Sequence, residues 1–224
     1  MPNREFRITS YSYLLSAFLV VVWPLSIILC FTPGLNRSDP TAVNLITRYY
    51  LPTILFQMLV FIAVYLTVKK EDSLLSSAGF NGFRYIYLAH SLIFIVISVV
   101  ILIAASSLFT NSGPADFMRS GIVTPGSYLE YSIWILLSAV VAIVEEFAYR
   151  GYLLTRLSGM FKSRTAAVLL ATLAFALGHF YQGLGGVILI FVYGLMFAGL
   201  FLYTRSVWPC IIAHFIHNVI APFI

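Results

Sequence analysis

Two adjacent glutamates, Glu145 and Glu146, lie inside an otherwise apolar stretch of the sequence, AVVAIVEEFAYRGYLL. A charged side chain at the centre of a membrane helix costs about 2.5–3.5 kcal/mol on insertion scales, so such a pair requires a specific cause. On a helix, Glu146 and Arg150 are spaced i, i+4 and are expected to form an ion pair. Glu145 is rotated by about 100° from Glu146 and need not share that arginine. The spacing therefore predicts one neutralised glutamate and one that is available as a general acid or base.

Two later apolar segments supply further polar side chains. His179 lies in AFALGHF, and His214 and Asn218 in IIAHFIHN are spaced i, i+4, so that these last two share a helix face. Three basic residues, Arg156, Arg164 and Arg205, should mark the cytoplasmic helix ends. At a rise of about 1.5 Å per residue, Glu145 lies about 16 Å from Arg156, His179 about 22 Å from Arg164, and His214 about 13 Å from Arg205. Helix tilt brings the three side chains to one depth, so we predict a polar site built from three membrane segments.

Other interpretations of these polar residues remain open. Glu145, Glu146 and Arg150 also fit a purely structural ion-pair network. They fit equally a position at the cytoplasmic interface, where a charged side chain costs little free energy. Cys210 precedes His214 by four residues, which is compatible with a thiol nucleophile and a histidine base, but that mechanism gives the glutamates no role. For His90 and His217 we expect packing roles within the membrane.

The composition assigns the chain to the α-helical membrane proteins. Of its 224 residues, 61% are hydrophobic and only 9% are charged, whereas a soluble domain has about 25% charged residues. The formal charge of +5 comes from basic residues that form no stripe and mostly flank the apolar runs, so no nucleic-acid partner is expected. Cys30 and Cys210 both lie in apolar segments, which supports neither a disulfide framework nor a thiolate metal site.

The hydropathy pattern predicts an all-α polytopic bundle of about seven transmembrane helices in the cell membrane, with the active site in the last four. The predicted segments are 11–31, 49–68, 85–108, 132–156, 164–180, 185–204 and 207–223. The first is expected to be an uncleaved signal anchor. With a cytoplasmic N-terminus, the inside segments hold most of the basic residues, including Arg4, Arg7, Lys69, Lys70, Arg84, Arg156, Lys162, Arg164 and Arg205. The outside then keeps only Arg37, Arg48 and Arg119, which is the asymmetry that favours this orientation.

Three motifs occur in order along the chain: Glu-Glu-x-x-x-Arg at Glu145, Glu146 and Arg150, Phe-x-x-x-His at Phe175 and His179, and His-x-x-x-Asn at His214 and Asn218. This pattern resembles the CPBP family of CAAX proteases and bacteriocin-processing enzymes, also called the Abi family. The resemblance covers roughly residues 130–224. We therefore expect two regions, with helices 1–3 of unassigned role in 1–126 and a catalytic four-helix core in 127–224.

The resemblance implies an intramembrane endopeptidase with a cavity that opens to the cytoplasm. It implies that Glu145, assisted by His179, activates water, and that His214 and Asn218 stabilise the oxyanion. Glu146 and Arg150 would then orient these groups, and Phe175 would support them.

A zinc enzyme remains an alternative, because Glu145, His179 and His214 are a plausible His₂Glu ligand set. However, the sequence has no His-Glu-x-x-His, and the three residues come from separate segments. A metal-free glutamate mechanism without a cofactor is therefore favoured.

The expected partners are the lipid bilayer and a peptide or protein substrate at the membrane. Because CAAX prenylation is mainly eukaryotic and this short chain looks bacterial, a non-prenylated peptide is the expected substrate. The alternative from another functional class is a bacteriocin immunity or scaffold protein that binds a partner without hydrolysis. A proton-relaying transporter is disfavoured, because no paired broken segments in two halves are evident.

Overall fold

The structure is a computed structural model that describes residues 6–30, 44–71, 73–109 and 125–223. Within these ranges it contains seven long helices and no strand, which confirms the predicted all-α helical bundle. The helices are α1 (10–30), α2 (Ile46–Lys70), α3 (Ile86–Phe109), α4 (Tyr128–Phe161), α5 (Arg164–Leu177), α6 (Gly183–Thr204) and α7 (Trp208–Ile220). Short 3₁₀ turns cover Leu75–Ala78, Phe180–Gln182 and Ala221–Phe223.

Local sequence signals explain where several helices begin and end. Thr9 caps α1 in a reciprocal capping box with Ser12, which satisfies backbone donors that a helix start leaves free. The side chains of Ser127 and Ser163 accept hydrogen bonds from backbone N–H groups in the first turns of α4 and α5. α4 ends where Lys162 adopts a left-handed conformation, with φ of 52°. A residue there cannot continue a right-handed helix.

Five of the helices, α1, α2, α3, α4 and α6, are long and apolar enough to cross a membrane. Their outer faces expose large apolar side chains, such as Leu55 and Leu59 on α2 and Val96 and Val100 on α3. Faces of this kind are compatible with lipid rather than water. The chain is therefore a multi-pass membrane protein, as predicted, whereas its orientation remains a prediction. Arg4, Arg37 and Arg119, which entered the orientation argument, lie outside the described residues.

The fifth and seventh helices are shorter than the sequence pattern predicted. α5 ends at Leu177 rather than near 180, and its 14 residues span about 21 Å at 1.5 Å per residue. α7 has 13 residues before the terminal 3₁₀ turn. α5 contacts α4 and α6, and α7 contacts α3 and α4. Both helices are apolar but shorter than the five helices that are long enough to span a membrane.

The fourth helix differs most from the predicted segment. It runs to Phe161 rather than 156, and residues Glu146–Leu153 form a π-helical stretch in which every residue is buried. A π-helical turn is rare and frequently marks a functional site. Arg156, expected at the cytoplasmic boundary, has no exposed surface and pairs with Glu71. Because α4 continues to Phe161, Arg156 does not mark the end of the helix, and the depth of Glu145 stays a prediction.

Gly151 lies in this π-helical stretch, where α4 passes close to the Leu75–Ala78 turn. A Cβ atom added at Gly151 would collide with the backbone oxygen of Ala78, which has no rotamer by which to move away. We expect Gly151→Ala to lower the free energy of unfolding by about 1–3 kcal/mol, the usual cost of overpacking. Thermal unfolding in detergent measures this loss. Gly199→Ala is the matched control, because no atom lies within 4 Å of its added Cβ; equal losses would contradict the packing explanation.

Candidate active site

Glu146 is the centre of a buried charged cluster. Its side chain has no exposed surface, and its Oε1 atom accepts hydrogen bonds from Arg150 Nη1 at 2.9 Å and from His214 Nδ1 at 2.8 Å. The Glu146–Arg150 pair expected from the i, i+4 spacing is therefore present. The contact with His214 adds a link to α7 that the spacing does not reveal. Because an ionised carboxylate only accepts hydrogen bonds, Nδ1 of His214 carries a proton.

Arg150 also contacts two aromatic rings. Its guanidinium carbon lies 4.2 Å from the centroid of the Phe175 ring and 5.0 Å from that of Phe197, distances at which a cation is attracted to a ring face. The Glu146 Oε2 and Arg150 Nη2 atoms are buried and have no hydrogen-bond partner among the described residues. Arg150 is thus held by the Glu146 carboxylate and two aromatic rings, while Glu146 and Arg150 each keep one unpaired polar atom.

Glu145 has a different environment from Glu146. It is 8% exposed, and Gln57 on α2 donates from Nε2 to its Oε1 atom over 2.8 Å. The arginine bond and the histidine bond described above both go to Glu146. The two adjacent glutamates therefore divide as the sequence predicted, with one held by cationic groups and the other by a neutral amide.

His179 lies just after α5 rather than on it, in the turn that leads to Phe180–Gln182. Its Nδ1 atom lies 2.9 Å from the backbone oxygen of Phe175, and since a carbonyl only accepts, Nδ1 is the donor. The His179 and Phe175 rings are in contact, with centroids 4.7 Å apart. In the neutral imidazole, this arrangement leaves the lone pair on Nε2.

Two cavities meet at these residues. The larger, of about 620 Å³, has a largely aromatic wall and is lined in part by Trp23, Tyr49, Phe56, Trp134 and Tyr181. The smaller, of about 270 Å³, is lined by the four predicted catalytic residues together with Ser138 and Tyr193; the four are Glu145, His179, His214 and Asn218. Glu145, His179 and Phe175 line both cavities. The structure thus gathers side chains from α4, α7 and the turn after α5 around one cavity.

The remaining candidates of the sequence lie elsewhere or have other contacts. Cys210 is a buried free thiol whose Sγ faces the backbone oxygen of Phe197. It lines neither cavity, so its position does not support the thiol-nucleophile alternative. The side chain of Cys30 lies outside the described residues. His90 packs edge-on against Tyr203, as expected. His217 lies 3.3 Å from Ser98 Oγ and forms part of the smaller cavity wall.

The zinc alternative requires Glu145, His179 and His214 to meet around one ion. The described part of the chain contains no group of three His, Cys, Asp or Glu side chains placed to hold a metal ion. The choice between the zinc mechanism and the metal-free mechanism stays a prediction.

Sequence reasoning missed the contribution of the N-terminal helices to this site. Trp23 on α1 and Gln57 on α2 line the larger cavity, and Gln57 contacts Glu145 directly. Gln57 is a single amide in the apolar run LFQMLVFIAVYL. That isolated polar residue is the signal from which its role could have been inferred.

Comparison with known proteins gives one match. Residues 127–220, somewhat less than half of the chain, match the family model described as type II CAAX prenyl endopeptidase Rce1-like. No curated protein and no solved structure matches the chain. The match spans α4 to α7, the helices that carry all three motifs. Residues 127–220 are therefore similar to the Rce1-like type II CAAX prenyl endopeptidases, which confirms the family resemblance seen in the motifs.

Proposed function

We propose that this protein is an intramembrane endopeptidase that hydrolyses a peptide bond with water activated by Glu145 and His179. The observation that carries the proposal is the meeting of Glu145, His179, His214 and Asn218 around one cavity of about 270 Å³. The family match of residues 127–220 supports a CAAX-type protease role in general. In this proposal no metal takes part.

Glu145 acts as the general base in the proposed mechanism. Among the described residues its carboxylate has the neutral amide of Gln57 as a hydrogen-bond partner rather than a cation, and its second oxygen accepts the proton of the water in this proposal. His179 assists from Nε2, because Nδ1 is committed to the Phe175 backbone oxygen. Removal of one proton from the water accompanies attack of its oxygen on the scissile carbonyl carbon. That proton later passes to the leaving amine, so the peptide bond breaks without a covalent enzyme intermediate.

His214 and Asn218 stabilise the oxyanion that forms on the carbonyl oxygen. The Asn218 amide donates from its NH₂ group. Because Nδ1 of His214 donates to Glu146, this ring donates to the oxyanion from Nε2, and in this proposal it does so as an imidazolium. One well-placed oxyanion donor is worth about 2.7–4 kcal/mol in other hydrolases. Glu146 thus positions His214, and Arg150 balances the charge of Glu146.

The proposed substrate is a peptide or membrane protein with an apolar segment beside the cleaved bond. Its support is the larger cavity, where aromatic side chains from α1, α2 and α4 form a large part of the wall. Such a wall binds apolar groups through area removed from water. The charge asymmetry of the sequence supports a cleaved bond near the cytoplasmic side.

The function is tested with the purified protein in liposomes and a library of membrane-proximal peptides, in H₂¹⁸O and with phenanthroline present. We expect new peptide products whose new carboxylate carries one ¹⁸O atom, at the same rate with and without the chelator. Mass spectrometry measures both quantities. Loss of activity in the chelator, with recovery after zinc is added back, would instead support the zinc mechanism. Absence of any cleaved peptide would contradict the enzyme proposal.

A further inference from the structure

We propose that Gln57 is a positioning residue that holds the carboxylate of Glu145 in its reactive orientation. The inference rests on the proposed function of Glu145 as general base. Gln57 lies on α2, outside the segment 127–220 that matches the family model. The proposal therefore assigns a part in the reaction to the N-terminal helices.

The orientation of the Gln57 amide follows from hydrogen-bond chemistry. Its Nε2 atom lies 2.8 Å from Glu145 Oε1, and an ionised carboxylate has no proton to donate. The NH₂ group must therefore face Glu145. Gln57 is only 3% exposed, and a hydrogen bond to a charged acceptor is among the stronger ones in proteins.

The chemical type of the partner suits a general base. Arg150 and His214, two nearby groups able to carry positive charge, both bind Oε1 of Glu146. A cation bound directly to Glu145 would stabilise its charged form and weaken it as a base. An amide instead fixes one carboxylate oxygen and carries no net charge. Gln57 thereby restricts rotation of the carboxylate, while the second oxygen of Glu145 is available to a water molecule.

The position of Gln57 on α2 is unfavourable for packing alone. Gln57 shares a buried helix face with Val60, Val64 and Val68, which are spaced three or four residues apart, and that face packs against α4. An apolar side chain would continue the face without cost. Instead, Gln57 Oε1 is buried without a partner among the described residues, and an unpaired buried acceptor is destabilising. Gln57 also lines both cavities, beside Glu145.

Substitutions of similar size separate hydrogen bonding from packing. Met keeps the length and volume of Gln57 but has no N–H, so we expect Gln57→Met to lower kcat by about 10–100-fold, the size expected when a hydrogen bond to a charged group is lost. KM should change less than twofold, because the cavity keeps its shape. Gln57→Glu faces Glu145 with a like charge and should lower kcat at least as far. Thr67→Val is the matched control on the same helix, since the Thr67 hydroxyl bonds only the Ala63 backbone oxygen, and it should retain kcat.

A second measurement tests the contact without requiring activity. In a double-mutant cycle of Gln57→Met and Glu145→Ala, the shifts in unfolding temperature should be non-additive, because the two side chains share one hydrogen bond. Additive shifts would overturn the contact. If the wild type is active and Glu145→Ala is inactive, but Gln57→Met keeps wild-type kcat, the proposed function stands and the role of Gln57 is wrong. If the wild-type protein has no peptidase activity, both the proposed function and the positioning role of Gln57 are wrong.

Discussion

Replacing Glu145 by glutamine is expected to lower kcat for peptide hydrolysis by about 10²–10⁴-fold, the usual contribution of a general base. Glutamine has nearly the same shape and keeps a hydrogen-bonding group opposite Gln57, but it cannot accept a proton from water. The folded structure should therefore persist while the chemical step is lost. The measurement is kcat and KM for a peptide substrate in liposomes, together with thermal unfolding to verify the fold.

Glu130→Gln is the matched control for this substitution. Glu130 lies on the same helix, accepts a hydrogen bond from the Gly126 backbone and lines neither cavity. We expect this variant to keep wild-type kcat. If Glu145→Gln behaves like Glu130→Gln, Glu145 is not the base. If Glu145→Gln abolishes hydrolysis but still supports the full cellular phenotype, the binding-only alternative of an immunity or scaffold protein gains support.

Replacing Arg156 by leucine is expected to destabilise the protein by about 3–5 kcal/mol, since it leaves the Glu71 carboxylate buried without its cation. Glu71 and Arg156 have 1% and 0% exposure. Arg156 donates from Nε and Nη2 to Glu71 Oε2, at 3.0 and 2.6 Å. Ser12 and Tyr152 donate to the other carboxylate oxygen. Denaturant titration in mixed micelles measures the change in the free energy of unfolding.

Two further variants define the cause of this destabilisation. Arg164→Leu removes an exposed arginine from the start of α5 and should change stability by less than about 0.5 kcal/mol, as surface substitutions usually do. The double variant Glu71→Leu with Arg156→Leu should recover much of the loss, because no unpaired charge remains buried. A double variant as unstable as Arg156→Leu alone would mean that packing around the arginine, rather than charge, is responsible.

The Glu71–Arg156 pair has a consequence for the site as well as for stability. Through Ser12, Glu71 and Tyr152 it connects α1, the end of α2 and α4. The same α4 carries Glu145 and Glu146 about three turns earlier. The Glu71–Arg156 pair and the Gln57–Glu145 hydrogen bond thus both join the α2 segment to α4.

The chemistry of the site was largely predictable from local patterns. The cost of charge in an apolar segment indicated Glu145 and Glu146, and the i, i+4 rule predicted the pair of Glu146 with Arg150. The order of the three motifs predicted the family of residues 127–220, which the family match confirms. The catalytic roles of Glu145, His179, His214 and Asn218 stay predictions that the variants above test.

The apolar runs and the residue types of the three motifs are local properties, because each depends on a few consecutive residues and on helix geometry. They were sufficient to predict the helical bundle, its location in a membrane, and the different partners of Glu145 and Glu146. Tertiary packing decided the rest: the burial of Arg156 against Glu71, the link from Glu146 to His214, and the contact of Gln57 with Glu145. Gln57 and Glu145 are 88 residues apart, and no periodicity within one segment specifies which face of another helix it will meet. The π-helical stretch from Glu146 to Leu153 likewise depends on neighbours, since close packing stabilises a turn that intrinsic preference disfavours.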